Sequence, residues 1–255
     1  MTDAEWALFE QFVIETGPKR GRPPADHRRV LDGIFWIART GAPWRDLPEE
    51  LGKWSSVYRQ FLRWTRAGLW DIVLEALART EAVPDTLQMI DSTIIRAHHH
   101  AAGGKGGIQR NALGRSRGGF STKIHLRTNA EGLPIGSMLT AGEAHDSKAY
   151  DALMNDDTPD PKVLLADRGY DSDAIRADVE RRGGVPMIPT KKNRRVQIAI
   201  DGAIYALRNR IERCFNRLKN ARRVATRYDK LADTFLGFIH LVAVRLWLRH
   251  FVNAT

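Results

Sequence analysis

Along the first eighty residues the apolar positions recur every three or four residues, and after that they shorten into runs and alternations. Val30, Ile34, Ile37 and Ala38 keep helical spacing behind Asp26, a residue suited to cap the helix. The stretch GAPWRDLPEELGKW breaks that period, with Pro43 and Pro48 marking a loop. A further helix from about Ser55 sets Val57, Tyr58, Phe61, Leu62 and Thr65 on one side and Arg59, Arg63 and Arg66 on the other. Such a pair with a basic outer face resembles a helix-turn-helix, which makes the three arginines candidates for DNA contact. A merely solvated basic face is the alternative.

EAVPDT at 81–86 reads as a linker between this helical region, residues 1–80, and a second region covering 87–255. The pattern there predicts strands at 87–91, 122–128, 134–140, 162–167 and 185–190, with NAEG at 129–132 as a hairpin turn. A glycine-closed helix is expected before the last strand, and helices are expected over 203–220 and 231–250. Strands and helices in that order imply an α/β fold with a mixed-direction sheet. The run FLGFIHLVAV, 235–244, is ten residues long and reads as a buried helix rather than a membrane span. Residues 98–120 are rich in glycine and basic, with Lys105, Arg110, Arg115 and Arg117, and poor in apolar side chains. They are expected to form a mobile loop able to fold over DNA.

Charge sharpens this picture. The chain has 255 residues and a formal net charge of +10, which points to a polyanionic partner such as nucleic acid. Residues 191–230 carry thirteen Lys or Arg against three acids, so the surplus is concentrated on one segment. Cys214 is the only cysteine, which excludes an intramolecular disulfide or a cysteine-based zinc site and suits a reducing cytoplasm. The acidic start MTDAEWALFEQF does not read as a secretory signal.

Three acids stand where chemistry could use them. Asp91 follows the apolar run LQMI and Asp167 follows VLLA, so each is read as emerging at the carboxyl end of a buried strand, where α/β sheets bind ligands. Glu212 is the one acid among five basic residues in YALRNRIERCFNRLK. On a helix, Tyr205, Arg208, Glu212 and Lys219 share an arc of about 60°, beside an apolar stripe of Ile204, Leu207, Ile211, Phe215 and Leu218. Carboxylates of this kind suit hard divalent cations, Mg2+ or in its place Mn2+. Two ions about 4 Å apart would activate an attacking oxygen and stabilise a leaving one at a phosphodiester. The alternatives are capping roles for Asp91 and Asp167 and an ion pair with Arg208 for Glu212. Asp146 reads as a helix cap, with assistance to metal binding as the alternative, Asp171 likewise reads as a cap, and Cys214 as core. His98, His99, His100 and His145 raise a zinc site, but consecutive histidines are not expected to share a face.

Three blocks now resemble one family. IDSTIIRAHHHAAGG, LLADRGYDS and the spacing Tyr205-x2-Arg208-x3-Glu212-x6-Lys219 are similar to the DDE transposases of bacterial insertion sequences, in the group called insertion-sequence family five or a close superfamily relative. The resemblance runs from about residue 20 to about residue 248. It implies an RNase H-like core, with Asp91, Asp167 and Glu212 as the metal-binding catalytic acids and two ions per active site. It also implies that Tyr205, Arg208 and Lys219 position transposon-end DNA. The expected partners are double-stranded DNA, as terminal inverted repeats and target, and further copies of the chain in a homodimer or larger synaptic assembly. No membrane partner is expected, and the expected location is the bacterial cytoplasm, at the nucleoid when bound to DNA. Two other readings share the fold: an inert DNA-binding repressor, and a nuclease that cuts without joining.

Overall fold

The computed structural model describes residues 1–13, 26–79, 86–116, 118–155 and 158–254. The predicted linker, apart from Thr86, and Arg117 lie outside these. Four helices come first: α1 (Asp3–Phe9), α2 (His27–Thr40), α3 (Trp54–Arg66) and α4 (Leu69–Ala78). Asp26 caps α2 by accepting from the Arg29 amide, and Gly41 ends it in the left-handed conformation. Two 3₁₀ turns fill the connection from α2 to α3. Val57, Phe61 and Trp64 of α3 are buried, whereas Arg59, Arg63 and Arg66 are exposed.

The remaining chain builds a seven-stranded sheet. Its strands are β1 (Leu87–Ala97), β2 (Gly114–Ser116), β3 (Gly119–Thr128), β4 (Pro134–Ala141), β5 (Val163–Leu165), β6 (Val185–Met187) and β7 (Thr226–Arg227). Between them run α5 (Gly107–Arg110), α6 (Tyr150–Met154), α7 (Asp173–Arg181), α8 (Gly202–Ala206), α9 (Asn209–Lys219) and α10 (Arg222–Ala225), and α11 (Ala232–Ala254) closes the chain. β1 is antiparallel to β3 on one edge and parallel to β5 on the other, and β3 also pairs with β2 and β4. The β3–β4 turn closes as expected: Asn129 Oδ1 accepts from the amides of Glu131 and Leu133, and Gly132 takes φ +72°.

Helices cover both faces of the sheet. On one face Met89, Ile95, Ile124 and Leu126 pack with Ile211, Phe215 and Leu218 of α9, the N-terminal helices and α11. On the other, Ile90, Leu164 and Ala166 pack with α6 and α7. Successive residues of a strand point to opposite faces, so β1 serves both layers. Phe61 stacks on Phe238 with ring centroids 4.5 Å apart, joining α3 to α11. Gly237 permits this approach, because a Cβ there would come within 2.8 Å of the Thr65 side chain. α11, close to the helix expected over 231–250, is long and apolar enough to cross a membrane by length and composition, although its most apolar run is only ten residues. Phe235, Phe238, Ile239, Val244 and Trp247 of this helix are buried in the shared core.

Several expectations need correction. β1 does not end near Asp91 but continues to Ala97, because β3 pairs with it through Arg96. Residues 98–120 hold a 3₁₀ turn, α5 and β2 rather than a bare loop. Polar contacts replace the missing apolar ones there: Asn111 donates to the Lys105 and Gly107 carbonyls and accepts from the Ala232 amide. The buried Arg227 donates to Ala112 O and Thr122 Oγ1. The expected helix over 203–220 is divided into α8 and α9 by a turn at Leu207–Arg208.

A second buried arginine ties the layers. Arg127 is fully buried and donates to Gln88 Oε1 at 2.6 Å and to the carbonyls of Leu153 and Pro159, each at 2.9 Å. Arg127→Met would take these donors from Gln88 Oε1 and Leu153 O, while Pro159 O keeps its bond from Gln88 Nε2. It should destabilise the protein by about 3 kcal/mol or more in urea unfolding, since each orphaned buried group costs about 1–3 kcal/mol. A change below about 0.5 kcal/mol, the size expected at an ordinary surface position, would show that Arg127 holds nothing together.

Candidate active site

The parallel pairing of β1 with β5 stops at Met89 opposite Leu165. Asp91 and Asp167 each lie two residues further on, so the register brings them side by side where the strands part. β7 takes up the same edge of β1 only from Arg96. The acids therefore belong to a split in the sheet. Asp91 emerges there because its partner strand ends, not because its own does.

Asp91 and Thr93 share the face covered by α9. The apolar stripe Ile211, Cys214, Phe215 and Leu218 is buried and lays that helix along β1. Arg208 Nη1 donates to Asp91 Oδ2 and Arg208 Nη2 to Glu212 Oε1, both at 2.6 Å. Its guanidinium also lies 5.9 Å from the Tyr205 ring centroid. At the other end of α9, Lys219 Nζ donates to Thr93 Oγ1 at 2.7 Å. Glu212 remains 53% exposed.

Electrostatics follow from burial. Burial pushes the Asp91 carboxyl up to about 6; Arg208 and the Ser92 amide oppose the shift and Asp167 adds to it. Burial works against the charged form of Arg208, yet Asp91, Tyr205 and Glu212 hold it above its ordinary value. Burial raises Tyr205 and lowers Lys219.

On the opposite face, Ser92 Oγ donates to Asp146 Oδ1 and Lys123 Nζ donates to the same oxygen, both at 2.7 Å. Asp146 is thus no helix cap: the cap of that 3₁₀ turn is His145. Burial would raise Asp146, but the hydrogen bonds from Lys123 and Ser92 outweigh it and lower its pKa. Gly169 keeps Asp146 and Asp167 close, since a Cβ there would lie 2.8 Å from Asp167 Oδ1 and 3.1 Å from Asp146 Oδ2. Tyr170 is fully buried; burial raises its pKa and the charges of Asp146, Asp91 and Asp167 add to the shift. Its hydroxyl has no hydrogen-bond partner among the described residues.

Asp171 is not a cap either, because Ser172 caps α7. Asp171 instead pairs with Arg176 at 2.9 Å and Arg194 at 3.2 Å. Cys214 is buried, and burial pushes its thiol up to about 12. The histidines also depart from expectation. A 3₁₀ turn starting at His99 folds His98, His99 and His100 together, with ligand nitrogens within 4.8 Å of one another. His98 Nδ1 accepts from the His100 amide, and the His98 ring stacks on Tyr228. His145 is not in that group; it hydrogen-bonds Ser147.

The structure therefore gathers Asp91, Asp167, Tyr205, Arg208 and Glu212, with Lys219 two residues further along the same face of β1. Lys105 and Arg115 are exposed on the 98–120 segment, and Arg59, Arg63 and Arg66 lie on α3. Ser92, Lys123 and Tyr170 are the neighbours that sequence reasoning missed, and Asp146 is one it favoured as a cap. The polar pair after Asp91 in IDST and the acid in AHDS were the available signals.

Hard carboxylate oxygens are the donor type a divalent cation takes, but here Glu212 meets Asp91 only through Arg208, and among the described residues only the three histidines bring ligand atoms within 4.8 Å of one another. Burial and Asp167 make the Asp91 anion costly, Arg208 brings positive charge between Asp91 and Glu212, and the orphaned Tyr170 hydroxyl borders the same carboxylates.

Comparison with known proteins bears on the family and the fold. Residues 84–247 match the family model described as "Transposase DDE domain", and residues 1–74 match "Putative transposase of IS4/5 family". The protein y4sN of Sinorhizobium fredii is 48% identical over 106 residues, covering 41% of this chain and 82% of that protein. "Putative transposase for insertion sequence element IS6501" of Brucella ovis is 34% identical over 134 residues, covering 51% of this chain and all of that protein. A piggyBac transposase, solved as a synaptic complex with hairpin DNA, superposes with a TM-score of 0.54 at 12% identity, covering 98% of this chain and 71% of that one. That likeness is one of fold, an RNase H-like sheet flanked by helices with a helical region before it. With the family match spanning most of the chain and a related insertion-sequence transposase covered along its whole length, the chain belongs to the DDE transposases of insertion sequences.

Proposed function

We propose that this transposase cleaves the ends of its insertion sequence and joins the freed 3′-OH ends to target DNA, with Asp91, Asp167 and Glu212 as the catalytic acids. The observation that carries the reading is the register that sets Asp91 beside Asp167, together with the Arg208 link from Asp91 to Glu212. A pair of Mg2+ ions, or Mn2+, would supply Lewis acidity for the attacking and leaving oxygens of the phosphodiester. The residues of the chain do the rest. Asp91 and Asp167, fixed on a paired strand and a capped turn, would hold the ions. Glu212 stands on α9 at the solvent side, where it can swing once Arg208 turns to a DNA phosphate. Tyr205 and Lys219 flank it and grip the backbone on either side of the scissile bond. Water opens the ends first, and the 3′ hydroxyls then attack target DNA with no protein–DNA covalent bond. Arg59, Arg63, Arg66, Lys105, Arg115 and Arg117 extend the DNA surface, and two or more copies bring two ends together.

Glu212→Gln keeps shape and hydrogen bonding but removes charge. In a cleavage and strand-transfer assay with Mg2+ and end-bearing DNA, it should lower both steps by at least about a hundredfold, the upper range for losing an outer-shell partner. Its DNA binding should persist. Cutting at the wild-type rate would leave Glu212 an ion-pair partner and refute the assignment. Wild-type protein that binds ends without cutting would instead favour a repressor, and cutting without joining would favour a nuclease.

Asp91→Asn tests the charge at the split. The folded-state pKa near 6 exceeds the ordinary 3.8, so the carboxyl's contribution to stability is present below 3.8 and is lost as pH rises through about 6. Without metal the variant should therefore melt above wild type at pH 7.5, with the gap closing as pH falls toward 4. Mg2+ should raise the melting temperature of wild type more than that of the variant. A variant that melts lower at pH 7.5, or gains equally from Mg2+, would contradict the site.

A further inference from the structure

On α9, Arg217 lies five residues after Glu212 and so about 140° around the helix. There a cavity of about 690 Å³ opens between α2, α9 and α11. Arg39 of α2, Arg217 of α9, and Arg245 and Arg249 of α11 converge on it, with Phe35 and His250 beside them. Arg245 and Arg249 are one turn apart and thus neighbours on the helix surface. The Arg245 guanidinium lies 4.7 Å from the Phe35 ring centroid, and its Nε–H is buried with no acceptor among the described residues.

The charge there is poorly compensated. Burial lowers the Arg245 pKa, with Arg249 adding most to the shift and Arg39 a little, while Glu5 and Asp32 oppose it. Arg249 Nε is 3.5 Å from Glu5 Oε1, but among the described residues no carboxylate lines the cavity itself. An arginine does not relieve such crowding by losing its proton. An anion does, and guanidinium forks match the oxygens of a phosphate two at a time. The cavity also shares Arg217 and Asn220 with a second groove lined by Arg210, Arg213, Asn216 and Glu131. The basic surface thus continues across α9 toward the β3–β4 turn. A lone small anion would use one pocket, whereas a polymer of phosphates uses a track.

We infer that the pocket of Arg39, Arg217, Arg245 and Arg249 binds a backbone phosphate of duplex DNA, at a site separate from the carboxylates. This rests on the DNA-transposing function proposed above. The test is duplex binding by fluorescence anisotropy over a salt series, with wild type, Arg245→Gln and Arg39→Gln. Each lost phosphate contact should flatten the slope of log K against log salt by about 0.9, for any DNA sequence. Arg39 is exposed, so its variant decides the matter even if Arg245→Gln fails to fold. Wild type that binds duplex, with both slopes unchanged, overturns this inference and leaves the transposase reading intact. Wild type that binds no duplex overturns that reading as well. A parallel melting series with inorganic pyrophosphate separates a small-anion pocket: stabilisation abolished by Arg39→Gln, with unchanged DNA slopes, also overturns the inference.

Discussion

The contact on which the candidate site depends is the guanidinium of Arg208, held between Asp91 on β1 and Glu212 on α9. It joins residues far apart in the chain, and both partners on the sheet side are largely shielded: Arg208 is 19% and Asp91 14% exposed. Removing two charges from water to pair them is a poor way to gain stability, because desolvation offsets most of the attraction. A hydrophobic pair would hold α9 to the sheet as well. The charges instead keep a cation among the acids, as expected of a site that exchanges one positive partner for another.

That contact works because the layers around it are fixed. The apolar stripe of α9 and the core beneath it set the height of Arg208 over β1. On the reverse face, Lys123 and Ser92 hold Asp146 next to the turn that carries Asp167. His125, directly opposite Ser92 in the sheet, is fully buried, and burial pushes its pKa down to about 4. The Lys123 charge thus adjoins a neutral ring at ordinary pH. The split between β5 and β7 leaves room on the edge of β1 between these two supports.

Much of this was legible in the sequence because local chemistry and global fold agreed. The NAEG turn, the Asp26 cap and the apolar stripe of α9 each follow from rules that act within a few residues. The three blocks around Asp91, Asp167 and Glu212 carried the family. What failed depended on distant partners. The polar run Asp91-Ser92-Thr93 looks like a strand end, but pairing with β3 on one edge and contacts from Arg208, Asp146 and Lys219 keep it extended. Asp146 and Asp171 look like caps until Lys123 and Arg176 reach them from other elements. The segment 98–120 is poor in apolar side chains and still forms local structure, because Leu113 is buried and Asn111 and Arg227 satisfy its backbone.

The most direct test of the account is an anomalous-scattering map of the protein crystallised with Mn2+ and end DNA. Manganese should be held by Asp91, Asp167 and Glu212, with Arg208 withdrawn from Asp91 onto a phosphate. Manganese found only at His98, His99 and His100, with Arg208 still bridging Asp91 and Glu212, would contradict this assignment.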